Sequence, residues 1–260
     1  MLGIFDSGLG GLTALKELRR LTPGEELIYF GDTGRVPYGT KSEATIKKYA
    51  LQDAAFLVSK GVSAILVACG TVSTTALSDL KSAFSIPIIG VVEPAAEAAV
   101  KATTNGKIGI IGTSATIRSG AFKKAISALD SKITTYSQDC PLFVPLVENG
   151  FSSPDCEITK LTCEHYLKGL KNSGIDTLIL GCTHYPIIAE TIGNYLPNVK
   201  LINTGAEAAS RLVQIIGKKE GAADCSYFVS DDAKLFTTSA SLFLGNDITG
   251  MVSSVNIESF

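Results

Sequence analysis

Two cysteines stand at equivalent places in two similar stretches of this sequence. Residues 61–71 read GVSAILVACGT and residues 174–184 read GIDTLILGCTH, so Cys69 and Cys182 each lie eight residues after a glycine. Each cysteine follows a short, unbroken apolar run, which is typical of a strand covered on both faces in a parallel sheet. A free cysteine is often only a small buried side chain. At the carboxyl end of such a strand, however, a thiol stands where α/β proteins bind ligands.

Two thiols on opposite walls of one cleft suit proton transfer at a carbon atom. One thiol removes a proton from one face and the other returns a proton to the opposite face, which inverts a stereocentre without redox change. A thiol has an unperturbed pKa of about 8.5, so each needs a neighbour that takes or returns its proton. Asp6, after the first predicted strand, is the candidate beside Cys69, and His184 is two residues from Cys182.

Other cysteine chemistries fit the residue pattern less well. A phosphatase needs an arginine six residues after its cysteine, but positions 75 and 188 are Thr and Ile. A cysteine–histidine hydrolase needs one nucleophile, whereas the repeat supplies two equivalent thiols. The six cysteines include no CxxC pair, which argues against thiol redox chemistry and favours free thiols over disulfides. Cys182 and His184 lack further ligands at zinc spacing, so no metal is predicted.

The rest of the chain predicts an α/β fold made of two similar parallel-sheet domains. Short apolar strands alternate with helices throughout, and residues 2–7 (LGIFDS) resemble residues 108–113 (IGIIGT). The repeat predicts two halves related by a pseudo-twofold, with the active site in the cleft between them. Polar residues at the predicted strand ends would line this cleft: Asp6, Ser7, Asp32, Cys69, Thr71, Thr113, Glu148, Cys182, Thr183 and His184. Glu148 is placed there because residues 142–147 are interpreted as a strand.

Two glycine-rich segments resemble cofactor-binding loops, but their residues do not match the spacing that those motifs require. Gly8 and Gly10 fit a dinucleotide fingerprint, but Thr13 occupies the third glycine position. Residues 31–39 (GDTGRVPYG) nearly form a phosphate loop, but Thr40 stands where its lysine must be. The sequence therefore predicts no cofactor. Asp6 is equally well explained as a helix cap or as a site carboxylate, and the Pro-Tyr-Gly turn as a plain turn or a substrate-facing loop.

Composition excludes several classes of function. The chain has 260 residues, 45% hydrophobic and 18% charged, with a net charge of −2 and no basic stripe, which argues against nucleic acid as a partner. No apolar run reaches the length of a membrane span, and the N-terminus shows no signal peptide. We therefore expect no membrane partner and a cytoplasmic location.

Six segments together resemble the cofactor-independent aspartate/glutamate racemase superfamily, and glutamate racemase within it. They are FDSGLGG (5–11), GDTGRVPYG (31–39), VACGT (67–71), IGTSAT (111–116), PLVENG (145–150) and LGCTHYP (180–186). The resemblance implies an acid/base pair, Cys69 and Cys182, assisted by Asp6, Glu148 and His184. It also implies glutamate as substrate, in the synthesis of peptidoglycan. The implied substrate contacts are Asp6, Ser7, Tyr38, Gly39, Gly70, Thr71, Thr113, Thr116, Thr183 and His184.

The resemblance also implies a domain organisation. Residues 95–208 are expected to form a domain inserted into a first domain made of residues 1–94 and 209–260. A homodimer is the assembly considered.

One position departs from the family pattern. The family has Asn after the first cysteine, where this chain has Gly70. The loss of an amide leaves an alternative open, a non-catalytic or altered-specificity relative that binds acidic amino acids. If Gly70 is only a lost substrate contact, Gly70→Asn should lower KM for glutamate more than it changes kcat.

Overall fold

The chain folds into two parallel β-sheets surrounded by helices. The structure is a computed structural model that describes the backbone of residues 1–260 and every side chain but that of Leu242. The strands are β1 (Leu2–Asp6), β2 (Leu27–Gly31), β3 (Ile65–Val67), β4 (Ile88–Gly90), β5 (Lys107–Gly112), β6 (Thr134–Asp139), β7 (Thr177–Leu180), β8 (Lys200–Asn203), β9 (Cys225–Val229) and β10 (Val252–Ser254). The helices are α1 (Leu12–Leu21), α2 (Glu43–Ser59), α3 (Gly70–Thr75), α4 (Leu77–Ala83), α5 (Val92–Ala102), α6 (Ser114–Ser119), α7 (Ala121–Leu129), α8 (Phe143–Glu148), α9 (Glu157–Ser173), α10 (Ala189–Tyr195), α11 (Thr204–Ile216) and α12 (Ala233–Leu244).

Four strands of the first sheet have the same order as the four strands of the second sheet. The first sheet runs β10-β9-β2-β1-β3-β4 and the second runs β6-β5-β7-β8, with every strand pair parallel. The order 2-1-3-4 in the first half therefore recurs as 6-5-7-8 in the second. The α/β fold predicted from the sequence repeat is confirmed, and the strands that precede the two cysteines, β3 and β7, occupy equivalent places.

The strands that carry the site are central and fully buried. All residues of β1, β3 and β7 are buried. Strand β3 pairs with β1, and β7 pairs with β5. Helix α1, which follows β1, buries Leu12, Leu15 and Leu18 at helical spacing. Continuous apolar runs in the strands and an apolar stripe on the helix therefore build one side of each core.

Two segments differ from the sequence interpretation. The predicted strand at residues 142–147 is helix α8, which buries Phe143 and Val147 four residues apart, so Glu148 lies at a helix end rather than a strand end. Strand β6 was not predicted, because it is a polar edge strand with no fully buried residue.

The tail returns to the first sheet. Strand β9 pairs with β2, and β10 pairs with β9, whereas β5 to β8 form the second sheet. Helix α11 packs against α1 and α5. The division into residues 1–94 plus 209–260 and residues 95–208 stays a prediction.

Candidate active site

A cavity of about 710 Å³ lies where the carboxyl ends of strands from both sheets meet. It is lined by Ser7, Gly8, Val36, Pro37, Tyr38, Gly39, Thr40, Cys69, Gly70, Thr71, Thr113, Ser114, Arg118, Pro141, Val144, Pro145, Glu148, Gly181, Cys182, Thr183 and His184. Residues that follow β1 and β3 in the first sheet face residues that follow β5 and β7 in the second. The cavity thus lies at the strand ends where α/β sheets bind ligands.

The two thiols contribute to this one cavity from opposite sheets. Cys69 follows β3 and precedes α3, and Cys182 follows β7 after Gly181; their exposed fractions are 5% and 7%. The Sγ atom of Cys69 lies 3.6 Å from Oγ of Ser7, and Sγ of Cys182 lies 3.8 Å from Nδ1 of His184. Each thiol therefore has a polar neighbour, as an acid/base group requires.

Glu148 and His184 form an ion pair beside Cys182. The Nε2 atom of His184 lies 2.9 Å from Oε1 of Glu148, although the residues are 36 positions apart in the chain. Burial lowers the pKa of His184, but its contacts with Cys182 and Glu148 outweigh burial and raise the pKa to about 10. The imidazole is therefore protonated at neutral pH, with its second nitrogen directed to Cys182.

A glycine of the first half lets the His184 turn approach β1. A Cβ atom on Gly10 would lie 2.1 Å from Oγ1 of Thr183 and 2.6 Å from Nδ1 of His184. The close approach explains why position 10 is a glycine, although the segment is not a dinucleotide-binding motif. Phe243 of α12 packs edge-on against the His184 ring, with centroids 5.6 Å apart.

Asp6 lies beneath the cavity rather than in its lining. Its exposed fraction is 1%, its Oδ2 accepts a hydrogen bond from the Gly8 amide, and its Oδ1 has no partner among the described residues. Burial raises the pKa of Asp6, while the charge of His184 opposes this rise. Burial, reinforced by the Asp6 charge, raises the pKa of Cys69 to about 12. The N-cap of α1 is Gly11, with no side-chain cap, so Asp6 does not cap this helix, and its role as a site carboxylate stays a prediction.

Hydroxyl groups bridge the two halves across the cavity. Oγ1 of Thr71 lies 3.1 Å from Oγ1 of Thr113, and Thr113 donates to Oγ1 of Thr116 at 3.0 Å. Ser7, Thr71, Thr113 and Thr183 line the cavity, whereas Thr116 is 2% exposed and does not. A direct substrate contact through Thr116 therefore has no support in this geometry, and its hydroxyl instead orients Thr113.

The Tyr38 hydroxyl belongs to a buried network of charged side chains. Its hydroxyl donates to Asp32 and, at 3.1 Å, to Asp53, two carboxylates with no exposed side-chain surface. Arg35 pairs with both carboxylates, at 2.7 Å and 2.8 Å. Asp32, expected at the cleft, thus belongs to this buried network. The network fixes the segment of residues 36–40, which still lines the cavity at Tyr38 and Gly39.

Sequence reasoning missed the cation and the apolar wall of the cavity. Arg118 of α6 and a wall formed by Val36, Pro37, Pro141, Val144 and Pro145 line it. Arg118 lies five residues after Thr113, a separation that does not put two residues on the same face of a helix, so the sequence gives no sign that Arg118 lines the site. Among the described residues, no group of three His, Cys, Asp or Glu side chains could hold a metal ion.

Comparison with known proteins agrees with this arrangement. The model of the Asp/Glu/hydantoin racemase family matches residues 12–212. This chain belongs to the Asp/Glu/hydantoin racemase family. It is therefore a racemase, a member of the isomerase class, and the resemblance read from its six segments is confirmed.

Relatives of this racemase match it over almost their whole length. Glutamate racemase of Geobacter metallireducens is 45% identical over 264 residues, which cover 99% of this chain and 97% of the relative. Glutamate racemase of Francisella tularensis, solved with D-glutamate, has a TM-score of 0.92 at 37% identity and covers 100% of this chain and 98% of its own. The Thermus thermophilus enzyme, solved with β-chloro-D-alanine, has a TM-score of 0.88 at 42% identity, with the same coverage. Among the described residues of this racemase, no helix is long and apolar enough to cross a membrane.

Proposed function

We propose that this racemase interconverts L- and D-glutamate by proton transfer between two cysteines. The observation that carries the proposal is the placement of Cys69 and Cys182 at equivalent strand ends of two sheets, in one cavity. The names of the three relatives described above, which are glutamate racemases, support the substrate.

In the proposed reaction, the α-carbon of glutamate lies between the two sulfurs. A thiolate on one side accepts the α-proton, and the electron pair of the broken C–H bond stays on the substrate as a carbanion. The thiol on the other side then donates its proton to the opposite face, which forms the new C–H bond. One proton leaves, one arrives, and the two thiols exchange protonation states, so no cofactor is required.

The neighbours of each thiol would return the enzyme to its starting state. The imidazolium of His184 stabilises a thiolate at Cys182, and Glu148 keeps that imidazole protonated. On the other wall, Asp6 would take or return the proton of Cys69; the two groups interact through charge, and burial raises the pKa of both. The hydroxyls of Ser7, Thr71, Thr113 and Thr183 would bind the polar groups of the substrate.

The alternative of a non-catalytic binding protein is not favoured. Gly70 lacks an amide side chain, but both thiols line one cavity, and His184 lies beside Cys182, which supports a catalytic role. The proposed role is the supply of D-glutamate for peptidoglycan in the bacterial cytoplasm.

Circular dichroism of L-glutamate incubated with the pure protein tests the proposal. We expect the signal to decay to zero, with deuterium incorporated at the α-carbon when the solvent is D₂O. A stable signal together with no deuterium incorporation would reject glutamate as the substrate.

A further inference from the structure

Arg118 is the one cation of the cavity lining without a carboxylate partner among the described side chains. Besides the two cysteines and Tyr38, the titratable lining residues are Arg118, Glu148 and His184. Glu148 and His184 neutralise each other in an ion pair. Arg118 makes no side-chain hydrogen bond or ion pair with any described residue, and it is exposed. The unpaired positive charge of this cleft therefore belongs to Arg118.

Arg118 lines the same cavity as the two thiols. Thr113 caps α6 at its N-terminus, and Arg118 lies in the last turn, about 7 Å further along the axis. Side chains of a helix lean toward its N-terminus, so the long arginine side chain extends back toward Thr113. Helix α6 packs against α3 and the turn Tyr38–Thr40 of the opposite half. The guanidinium can thus lie over the entrance that both halves share.

The surroundings of Arg118 strengthen its attraction for anions. Pro141, Val144 and Pro145 line the same cavity and form an apolar wall. A charge in a cleft with apolar walls acts over a longer range than a charge on an open surface. The net charge of the protein is −2, so the molecule as a whole does not attract an anion. A local guanidinium, which binds carboxylates through two parallel N–H groups, supplies that attraction.

We propose that Arg118 is a substrate-recognition residue that captures one carboxylate of an acidic amino acid as it enters the cleft. The proposal rests on the function proposed above and adds the group that selects an anionic side chain over a neutral one. Arg118 acts on substrate capture and not on proton transfer, which belongs to the thiols. Its removal should therefore change KM and leave kcat nearly constant.

The experiment compares Arg118→Gln and Arg118→Lys with Lys123→Gln, a matched control. Lys123 is an exposed cation on the adjacent helix α7 and outside the cavity, so its loss changes the net charge equally. Glutamate racemisation is followed by circular dichroism at about 20 mM and about 500 mM salt, where the screening length falls several-fold. We expect Arg118→Gln to raise KM about tenfold at low salt and less than about threefold at high salt, with kcat unchanged within about twofold. Arg118→Lys should recover most of the loss.

Three results would overturn the role of Arg118 while leaving the proposed function intact. They are an unchanged KM in Arg118→Gln at low salt, an equal rise in KM at both salt concentrations, and the same rise in Lys123→Gln. Failure of the wild-type protein to racemise glutamate would instead reject the proposed function, and the proposal for Arg118 with it.

Discussion

A Cβ atom on Gly70 would lie only 2.4 Å from the carbonyl oxygen of Gly181. The two glycines stand next to the two cysteines, Gly70 after Cys69 and Gly181 before Cys182. Their contact joins the thiol-bearing turn of one half to that of the other. Because the obstructing atom belongs to the backbone, a side chain at position 70 cannot be accommodated by a change of rotamer. Gly70 therefore sets how closely the two thiols approach.

We expect Gly70→Asn to raise KM and lower kcat, the opposite of the expectation from sequence. The added Cβ must separate the walls, and a displacement of about 1 Å at a reacting centre can cost about a hundredfold in rate. Steady-state kinetics of Gly70→Asn and Gly70→Ala measure this effect. Gly169→Ala is the control, because nothing lies within 4 Å of that helical position. A lower KM in Gly70→Asn would show that the amide gains a substrate contact without disturbing the cleft.

The two thiols should prove non-equivalent toward the two enantiomers. Cys69→Ser and Cys182→Ser should each abolish racemisation, because a hydroxyl is far too weak a base at neutral pH. With β-chloroglutamate, however, the remaining thiolate can remove the α-proton while chloride leaves, and no proton needs to return to carbon. Each variant should therefore release 2-oxoglutarate, after hydrolysis of the enamine product, from only one enantiomer.

A coupled assay for 2-oxoglutarate measures this elimination. Cys156→Ser is the control, because that cysteine lies outside the cavity. The two-thiol assignment would be contradicted if neither variant released 2-oxoglutarate from either enantiomer. It would also be contradicted if one variant released 2-oxoglutarate from both enantiomers.

Glu148→Gln should shift the pH dependence of the reaction. Contacts with Cys182 and Glu148 raise the pKa of His184 to about 10 against the effect of burial, so loss of the Glu148 charge lowers this pKa. If the imidazolium assists Cys182, the alkaline limb of the kcat/KM profile should move to lower pH. NMR titration of the imidazole checks the pKa itself, and His165→Gln assigns the signal because the chain has only two histidines.

The same ion pair has a defined effect on stability. The folded-state pKa of His184, about 10, is above its unfolded value of about 6.5, so the stabilisation is fully present below the unfolded pKa while Glu148 stays ionised. It is lost as pH rises through about 10. Urea denaturation should therefore show Glu148→Gln less stable than wild type at pH 6 and equally stable above pH about 10. Equal stability at both pH values would contradict an imidazolium–carboxylate pair.

Tyr38→Phe should destabilise the fold and weaken substrate binding together. Its hydroxyl donates to Asp32 and Asp53, and its loss leaves the buried Oδ2 of Asp53 without a donor, at a cost of about 1–3 kcal/mol. Burial and the charge of Asp32 raise the pKa of Asp53, so this pair depends on its donors. Urea denaturation and KM measure the two effects. Tyr49→Phe is the matched control, since its hydroxyl makes no hydrogen bond to a described residue; an equal loss there would rule out the network as the cause.

Local sequence determined the strands, the repeat and the thiols. Continuous apolar runs before Cys69 and Cys182 specify buried parallel strands, because the neighbours of a central strand cover both of its faces. A cysteine directly after such a run must stand at the carboxyl edge of the sheet, and two related halves place two such edges in the protein. The α/β class, the two-domain repeat and the candidate catalytic pair could therefore be predicted from the chain alone.

Tertiary structure decided the contacts between residues distant in the chain and the direction of each side chain. Glu148 reaches His184 from a helix that sequence reasoning took for a strand, because the apolar residues of that segment suit either period. The hydroxyl of Tyr38 turns to a buried ion pair, and Thr116 supports Thr113 from behind. Arg118 and the contact of Gly70 with Gly181 depend on how the two halves face each other. No local pattern encodes that orientation, because it results from packing between surfaces far apart in the sequence.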